Sequence, residues 1–399
     1  MSATEPWRRS LAAAGLLDAD GTTRPTIFAE MSALAARYEA VNLGQGFPDE
    51  DGPAEVLEAA IAAIRSGVNQ YPPGRGAPEL RAAISEHRAR FGSPAPDPET
   101  DVLVTAGATE AIAAALLALV PPGGEVVTLS PFYDSYAAII GLIGARHTVI
   151  LLRGPDFQPD PADIDAAIGP GTSAVLLNNP HNPSGAVISP ELLERIAARA
   201  ATHGAIVVSD EVYEHLVFDD APFTPIATVP SAVGRALSIS SAAKTFRVTG
   251  WKIGWITGPA ALIDAVVAVK QFLTYVNGAP FQPAVAVGLR LPDSYFAEAS
   301  LTLQRRRDLL SAGLREAGFA VSPSRGSYFV VADAAPLGVE DGAAFARELV
   351  RDAGVASIPL AAFAPGTTDP AIRSSLRFAF CRRDEAIEEA VRRLSAYRR

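Results

Sequence analysis

The chain has 399 residues, of which 49% are hydrophobic and 20% charged, and its formal net charge is −10. This composition is typical of a globular protein with two or three domains. The acidic balance argues against nucleic acid and anionic membranes as partners, and the apolar stretches are shorter than the ~18 residues that a membrane span requires. The single cysteine, Cys381, cannot form an internal disulfide, so we expect a buried thiol, a reducing compartment and a cytoplasmic protein.

The predicted elements begin with helices and change to an alternation of strands and helices. Apolar spacing predicts a helix from Ala54 to Arg65, and Pro78 opens a second helix that reaches about Phe91. Between these two helices lies a turn rich in proline and glycine, residues 71–76. Seven short apolar runs then predict strands at Val102–Thr105, Glu125–Leu129, Arg146–Leu151, Ala174–Asn178, Ala205–Ser209, Ala236–Ser240 and Gly254–Thr257.

Apolar strands separated by helices predict an α/β fold with a mostly parallel, seven-stranded sheet covered by helices on both faces. We assign this sheet to a large domain, residues 47–285. A long predicted helix at 295–317 opens a smaller α+β domain, residues 286–399. Residues 1–46 form an N-terminal segment that we expect to join the small domain and the active site.

The small number of lysines is the first indication of a reactive side chain. The chain contains only three lysines, Lys244, Lys252 and Lys270, and two of them are eight residues apart. Lys244 follows an apolar strand and is flanked by small residues, which predicts a poorly hydrated amine. Desolvation lowers the pKa of a lysine and makes it nucleophilic.

Polar residues follow four other predicted strands, where ligands bind in open α/β sheets. The turn 105–110 opens a helix and is either a phosphate site or a plain tight turn. Tyr133 either packs in the core or stacks on a planar cofactor. Asp210, with Tyr213 three residues on, is either part of a site or a helix cap. Asn182 lies in a loop with two Asn-Pro turns. We interpret His181, in the same loop, as a structural residue rather than a catalytic base.

Taken in order, these residues resemble the fold-type-I aminotransferases of class I/II across nearly the whole chain. The resemblance is carried by Tyr71, Gly107, Tyr133, Asn182, Asp210, Tyr213, Ser241, Lys244, Lys252 and Arg377. The run 42–49 resembles the kynurenine aminotransferase and glutamine transaminase branch. The runs 70–74, 210–218 and 278–286 resemble bacterial N-succinyldiaminopimelate aminotransferases.

The resemblance implies pyridoxal 5′-phosphate as the cofactor. Lys244 would form the Schiff base with the cofactor aldehyde and then move the proton between Cα and C4′. Asp210 would pair with the ring nitrogen and keep it protonated. Tyr213 and Asn182 would hydrogen-bond the ring hydroxyl oxygen. Tyr133 would stack on the ring, where many members of the family have Trp or Phe.

The resemblance also implies how anions are held. The cofactor phosphate would bind to the N–H groups of Ala108 and Thr109 and to the side chains of Ser241 and Lys252. Tyr71 of the other subunit would also contact this phosphate. The active unit would therefore be a homodimer with composite sites. The substrate carboxylate would meet a bidentate contact from Arg377, completed by Asn182 and the Gly46 N–H. The five histidines lack zinc-site spacing, so we expect no metal.

The predicted reaction moves an amino group between an L-amino acid, with N-succinyl-LL-diaminopimelate as a candidate, and a 2-oxo acid such as 2-oxoglutarate. The alternatives are a kynurenine-, glutamine- or methionine-type aminotransferase, or a cysteine-S-conjugate β-lyase on the same fold. The segment 275–282 lacks a cation, which disfavours aspartate as donor, and Arg75 is a candidate for a distal carboxylate. A cofactor-sensing regulator would need a basic DNA-binding domain, for which the first 45 residues are too few.

Overall fold

The computed structural model describes residues 5–397. The first part of the chain is helical, apart from one short strand. Pro78 occupies the first turn of its helix, where the missing N–H removes no hydrogen bond. The elements are α1 (Pro6–Ala13), α2 (Ile27–Arg37), β1 (Val41–Asn42), α3 (Ala54–Arg65) and α4 (Pro78–Arg90).

A seven-stranded sheet forms the centre of the molecule. Its strands are β2 (Val102–Thr105), β3 (Glu125–Ser130), β4 (Arg146–Leu151), β5 (Thr172–Asn178), β6 (Ile206–Asp210), β7 (Ala236–Ser241) and β8 (Gly254–Thr257). Their order is β2-β8-β7-β6-β5-β3-β4. Only β8 runs antiparallel to its neighbours β2 and β7, and the pairs from β7 through β4 are parallel. The prediction of a mostly parallel, seven-stranded sheet is confirmed.

Alternate residues of each strand face opposite sides of the sheet, and both sides are apolar. Val127 and Val175 belong to one buried cluster, whereas their neighbours Val126 and Ala174 belong to another. A sheet that is buried on both faces needs helices on both faces. The helices between and after the strands are α5 (Gly107–Leu119), α6 (Asp134–Ile143), α7 (Pro161–Ala167), α8 (Pro190–Thr202), α9 (Ala242–Thr245), α10 (Ala260–Lys270) and α11 (Phe281–Leu289).

The C-terminal part is built on a second, antiparallel sheet. Its elements are α12 (Asp293–Glu316), β9 (Ala320–Val321), β10 (Phe329–Asp333), α13 (Gly342–Glu348), β11 (Val355–Ala356), β12 (Ile358–Pro359), α14 (Pro370–Ser374), β13 (Ser375–Ala379) and α15 (Asp384–Ala396). The sheet order is β12-β13-β10-β9, while β11 pairs in parallel with β1. This β1–β11 pairing attaches the N-terminal segment to the C-terminal part.

Short irregular helices complete the description, with 3₁₀ segments at Ile226–Thr228, Pro230–Ala232, Thr249–Trp251, Ala335–Leu337 and Leu360–Phe363 and a π-helical turn at Leu349–Ala353. Among the helices of residues 5–397, not one combines the length and the apolar character needed to cross a membrane.

Candidate active site

A cavity of about 410 Å³ lies at the carboxyl ends of the central strands. Eleven of the twelve predicted site residues line it, namely Gly46, Ala108, Thr109, Tyr133, Asn182, Asp210, Tyr213, Ser241, Lys244, Lys252 and Arg377. They come from the N-terminal segment, the strand ends of the large sheet, and β13 of the small sheet. The topology therefore brings together residues that are more than 300 positions apart.

Lys244 is presented by a short helix that starts where β7 ends. The Ser241 hydroxyl caps this helix by accepting a hydrogen bond from the Ala243 N–H at 3.1 Å. The Lys244 Nζ donates to the Gly46 carbonyl at 3.3 Å, and it lies 5.6 Å from the Tyr328 ring centroid. Burial lowers the pKa of Lys244 from its ordinary value. A larger fraction of this amine is therefore uncharged and nucleophilic.

Asp210 ends β6 and is 5% exposed. The Tyr136 hydroxyl donates to its Oδ2 at 2.6 Å, and the Val212 N–H donates to its Oδ1 at 3.3 Å. Burial raises the pKa of Asp210 to about 6, although the Tyr136 hydrogen bond opposes this shift. A buried carboxylate with a raised pKa is stabilised by a nearby positive charge, such as a protonated ring nitrogen.

Two asparagines connect Asp210 to Arg377. The Asn178 Nδ2 donates to the Asp210 carbonyl at 2.9 Å, and its Oδ1 accepts from the Asn182 N–H at 2.6 Å. The Asn182 Oδ1 in turn accepts from the Arg377 Nη1 at 3.1 Å. Tyr213 is buried beside them, and its ring centroid lies 5.1 Å from that of Tyr328.

Arg377 lies in the middle of β13 and is 2% exposed. Its Nη2 donates to the Gly44 carbonyl at 2.5 Å, and its guanidinium lies 4.1 Å from the Phe329 ring centroid and 4.6 Å from that of Phe363. Burial lowers the pKa of Arg377 to about 10, so it stays protonated at neutral pH. Among residues 5–397 its Nε has no hydrogen-bond partner. A buried, incompletely bonded cation is suited to a carboxylate ligand.

An anion site lies at the start of α5. This helix begins at Gly107, whose φ is 78°, so Ala108 and Thr109 present first-turn N–H groups to the cavity. A Cβ added to Gly107 would lie 3.4 Å from the Lys252 side chain, which shows how near this cation is. Backbone N–H groups, a helix N-terminus and a lysine together favour a phosphate group.

This set of side chains fits pyridoxal phosphate. The cavity offers an amine for the aldehyde, a carboxylate for the ring nitrogen, an aromatic ring at Tyr133 and a phosphate site at α5. The buried Arg377, whose Nε has no partner among the described residues, is compatible with an anionic ligand. Among the described residues, His, Cys, Asp and Glu side chains form no group of three or more that could hold a metal ion.

Tyr71, Arg75 and His181, which the sequence singled out, lie outside this lining. Tyr71 is 82% exposed, and its ring centroid lies 5.7 Å from that of Tyr275. Arg75 forms an ion pair with Asp264 and donates to the Thr100 carbonyl. His181 is buried, with Nδ1 2.7 Å from the Ser184 hydroxyl.

Cys381 is buried, as expected, and burial raises the pKa of its thiol to about 11. Of the lysines, Lys270 is also buried, 1% exposed, and its Nζ donates to the Tyr275 carbonyl at 2.6 Å. Lys252 is exposed at the cavity. The three lysines therefore have three different environments.

Sequence reasoning missed several residues that shape the cavity. They are Phe28, Tyr136, Asn178, Tyr328 and Phe329. Tyr136 and Asn178 had a detectable signal, because each lies within four residues of a predicted site residue at a strand end. Phe28 and Tyr328 had none, since only the tertiary fold brings Phe28 to Arg377 and Tyr328 to Lys244.

Comparison with known proteins agrees with this geometry. The family model for aminotransferase class I and II matches residues 38–394.

The chain belongs to the class I and II aminotransferases.

The solved structure of N-succinyldiaminopimelate aminotransferase from Mycobacterium tuberculosis is 52% identical, with a TM-score of 0.89 over 93% of this chain and 97% of that chain. A methionine aminotransferase of Escherichia coli is 37% identical, covering 92% of this chain and 95% of that protein. A kynurenine–oxoglutarate transaminase of Dictyostelium discoideum is 33% identical, covering 92% of each. The protein is therefore a pyridoxal-phosphate-dependent transaminase, and its substrates are an amino acid and a 2-oxo acid. The predictions of family, reaction and cofactor are confirmed.

Proposed function

We propose that the aminotransferase takes its amino group from N-succinyl-LL-diaminopimelate and passes it to a 2-oxo acid such as 2-oxoglutarate. The observation that carries this proposal is the identity of 52% to the Mycobacterium tuberculosis enzyme. The methionine and kynurenine enzymes are 37% and 33% identical. All three comparisons cover at least 92% of this chain, so the three identities refer to nearly the same length of sequence.

Each side chain of the cavity has a proposed task in this reaction. When bound, pyridoxal phosphate would supply an electron sink for the substrate Cα and an acceptor for the amino group. Lys244, with its lowered pKa, would accept the Cα proton and return it at C4′. Asp210 would keep the ring nitrogen protonated, while Tyr213 and Asn182 would donate to the ring hydroxyl oxygen and Tyr133 would cover the ring.

The anionic groups are held at the two ends of the cavity. We assign the cofactor phosphate to the N–H groups of Ala108 and Thr109 and to the side chains of Ser241 and Lys252. The substrate α-carboxylate is assigned to Arg377, with Asn182 and the Gly46 N–H. The Arg377 guanidinium already has Asn182 and aromatic rings around it, so its orientation is fixed before substrate binds.

The proposal includes a two-fold homodimer with composite sites. Tyr71 is 82% exposed and lies next to Tyr275, and Phe272 nearby in the chain is 85% exposed. Exposed aromatic side chains of this kind are typical of an interface. Tyr71 would then contact the cofactor phosphate of the partner. A cytoplasmic location and the division into segments 1–46, 47–285 and 286–399 stay part of the proposal.

A panel of amino donors with 2-oxoglutarate as acceptor tests the substrate. We expect kcat/KM for N-succinyl-LL-diaminopimelate to exceed that for methionine, kynurenine, glutamine and aspartate by about tenfold or more, because a dedicated site discriminates by at least one good contact. Glutamate formation is the readout. A higher kcat/KM for methionine or kynurenine would reject the proposed donor while leaving the transaminase chemistry intact.

The second candidate is a methionine- or kynurenine-type transaminase, which the relatives of those names favour, or a glutamine-type enzyme. A β-lyase activity belongs to the same candidate, since it begins with the same loss of the Cα proton to Lys244. Pyruvate release from a cysteine S-conjugate, measured without any 2-oxo acid, separates this elimination from transamination.

A further inference from the structure

A buried ion-pair cluster lies on the side of the 210–215 turn opposite the cavity. It consists of Arg88 from α4, Glu211 and Glu214 from the turn, and Ser238 and Ser240 from β7, and we call it the Arg88 cluster. Arg88 is 3% exposed and Glu211 is 1% exposed. Neither the sequence motifs nor the proposed reaction assigns a task to these residues.

Every carboxylate oxygen of the Arg88 cluster has a partner. Arg88 donates from Nη2 to the Glu211 Oε2 at 3.0 Å and from Nη1 to the Glu214 Oε2 at 2.8 Å. The Ile226 N–H donates to the Glu211 Oε1 at 2.7 Å, and the Ser240 hydroxyl donates to the Glu214 Oε1 at 2.5 Å. A fully bonded buried network of this kind holds its members in one arrangement.

The turn connects this cluster directly to the cavity. Asp210 and Tyr213 line the cavity, whereas Glu211 and Glu214, each the next residue in the chain, bind Arg88 on the other side. The Glu214 N–H also donates to the Glu211 carbonyl at 2.9 Å, which closes the turn. Because Arg88 holds the two glutamates, it also holds the backbone of the turn that positions Asp210 and Tyr213.

Arg88 is the cation that both glutamates contact. Burial on its own would raise the pKa of Glu214, but attraction to Arg88, the largest of several opposing interactions, helps to lower it. The nearby rings of His87 and His215 have their Nε2 atoms 2.7 Å apart, and burial lowers the pKa of His215 to about 3. These histidines are therefore neutral at pH 7 and do not replace the charge of Arg88.

We propose that Arg88 is a positioning residue for the cofactor: through Glu211 and Glu214 it holds Asp210 and Tyr213 in the orientation that the cofactor ring needs. The inference rests on the roles proposed above for Asp210 and Tyr213. Loss of Arg88 leaves two buried carboxylates without their cation, and the turn must move to hydrate them. The displaced Asp210 then forms a weaker interaction with the ring nitrogen of the cofactor.

The test compares Arg88→Met and Arg88→Lys in the full chain with a matched control, Arg307→Met. Arg307 is 7% exposed and binds two half-exposed carboxylates, Asp219 and Asp308, so its loss removes ion pairs of a buried arginine outside the cavity lining. The readouts are the dissociation constant of pyridoxal phosphate from the apoprotein and the pH midpoint of the visible absorption band of the bound cofactor.

We expect Arg88→Met to weaken cofactor binding by about tenfold or more, the size seen when the support of a ligand-holding side chain is removed, and to shift the pH midpoint. Arg88→Lys should bring the dissociation constant and the pH midpoint part of the way back to wild type. Lysine keeps the positive charge but cannot donate to both glutamates with the geometry of a guanidinium. Arg307→Met should lower the unfolding temperature and leave both values as in wild type. Equal values in wild type and Arg88→Met, or equal changes in Arg88→Met and Arg307→Met, would overturn the inference.

Two further variants keep the test decisive. If Arg88→Met does not fold, Glu214→Gln removes one charge of the cluster and should shift the same two values in the same direction. Wild-type values in Glu214→Gln would then count against the inference. Asp210→Ala must change the absorption band if the proposed site is correct. An unchanged band there would reject the proposed function of Asp210 itself, and not only the task of Arg88.

Discussion

Burial acts on Lys244 and Asp210 in the same physical way and with opposite consequences for their pKa values. A low-dielectric surrounding disfavours the charged form, so the pKa of the lysine falls and that of the carboxyl rises. Both shifts favour the uncharged pair in the absence of cofactor. A protonated ring nitrogen beside Asp210 would reverse this balance for the carboxyl and keep it ionised.

Lys244 should be the only lysine that becomes covalently attached to the cofactor. It lines the cavity next to Asp210 and Tyr213, whereas Lys270 is buried against the Tyr275 carbonyl. Borohydride treatment of the holoenzyme should bleach the visible band, and peptide mapping should place pyridoxyl on Lys244. Lys252→Arg, which keeps the charge near the phosphate, is the control and should leave the label in place. A label on Lys252 or Lys270 would contradict the assignment.

The raised pKa of Asp210 predicts a pH dependence of the apoprotein. The folded state binds the proton more tightly than the unfolded chain, so this stabilisation is full below about pH 4 and is lost as the pH rises through about 6. Wild type should therefore lose, relative to Asp210→Asn, unfolding free energy on the order of 3 kcal/mol between pH 4 and pH 7.

Urea unfolding of both cofactor-free proteins across this range measures the difference. Tyr136→Phe removes the hydrogen bond that opposes the shift, so its loss of stability should occur at a higher pH than in wild type. A difference between wild type and Asp210→Asn that is constant with pH would show that the pKa of Asp210 is not raised.

At the scale of elements, most strands of the large sheet were predictable because they are short, largely apolar runs buried on both faces, whereas the strand Arg146–Leu151 is mostly exposed or half-buried. Val102–Thr105 and Arg146–Leu151 have the predicted bounds, and the helix Ala54–Arg65 also coincides with its prediction. The two-residue strands β1 and β11 have no such pattern. Their pairing depends on contacts between segments about 300 residues apart, which periodicity cannot reveal.

The candidate site followed the same rule. Residues at the ends of long strands, such as Asp210 and Lys244, were predictable from the edge that parallel strands share. Arg88 was not, because it lies on a helix whose charged residues all resemble a solvated face in the sequence. Its burial results from two glutamates that face it from a different element.

The contact between β8 and the first turn of α5 yields a prediction about the phosphate site. A Cβ at Gly254 would lie 2.7 Å from the Gly107 carbonyl carbon and 2.9 Å from the Ala108 nitrogen. Because both obstacles are backbone, Gly254→Ala should displace the turn whose N–H groups are proposed to bind phosphate. We expect pyridoxal phosphate to bind about tenfold or more weakly, since first-turn N–H geometry determines anion binding.

Gly250→Ala is the matched control for this substitution. Gly250 lies four residues earlier, and a Cβ there would meet nothing within 4 Å. Its dissociation constant for pyridoxal phosphate should equal that of wild type. If Gly254→Ala bound the cofactor with wild-type affinity, the close packing of β8 against α5 would be irrelevant to the phosphate site.

At the scale of the whole molecule, the exposure of Tyr71 predicts composite sites in a dimer. Mixing inactive Lys244→Ala protein with weakened Tyr71→Phe protein should raise the activity above the sum of the separate preparations once subunits exchange. In the mixed dimer, one site would carry both defects and the other would carry neither. The steady-state rate, followed over the hours after mixing, is the measurement.

The opposite arrangement gives a different result. If Tyr71 served the site of its own chain, every site in a mixed dimer would keep one defect, and mixing would restore no activity. Mixing either variant with itself at the same total concentration controls for changes in stability. A fully active monomer in sedimentation would equally contradict the composite site.

The placement of the three lysines should make the affinity of this enzyme for pyridoxal phosphate simple to measure by titration. Free pyridoxal phosphate reacts with accessible amines in general, and in most proteins surface lysines add a background of weak adducts. Here Lys270 is buried, and Lys252 is at the cavity that holds Lys244. A spectroscopic titration of the apoprotein should therefore saturate at close to one equivalent per chain, with little nonspecific absorbance beyond that point.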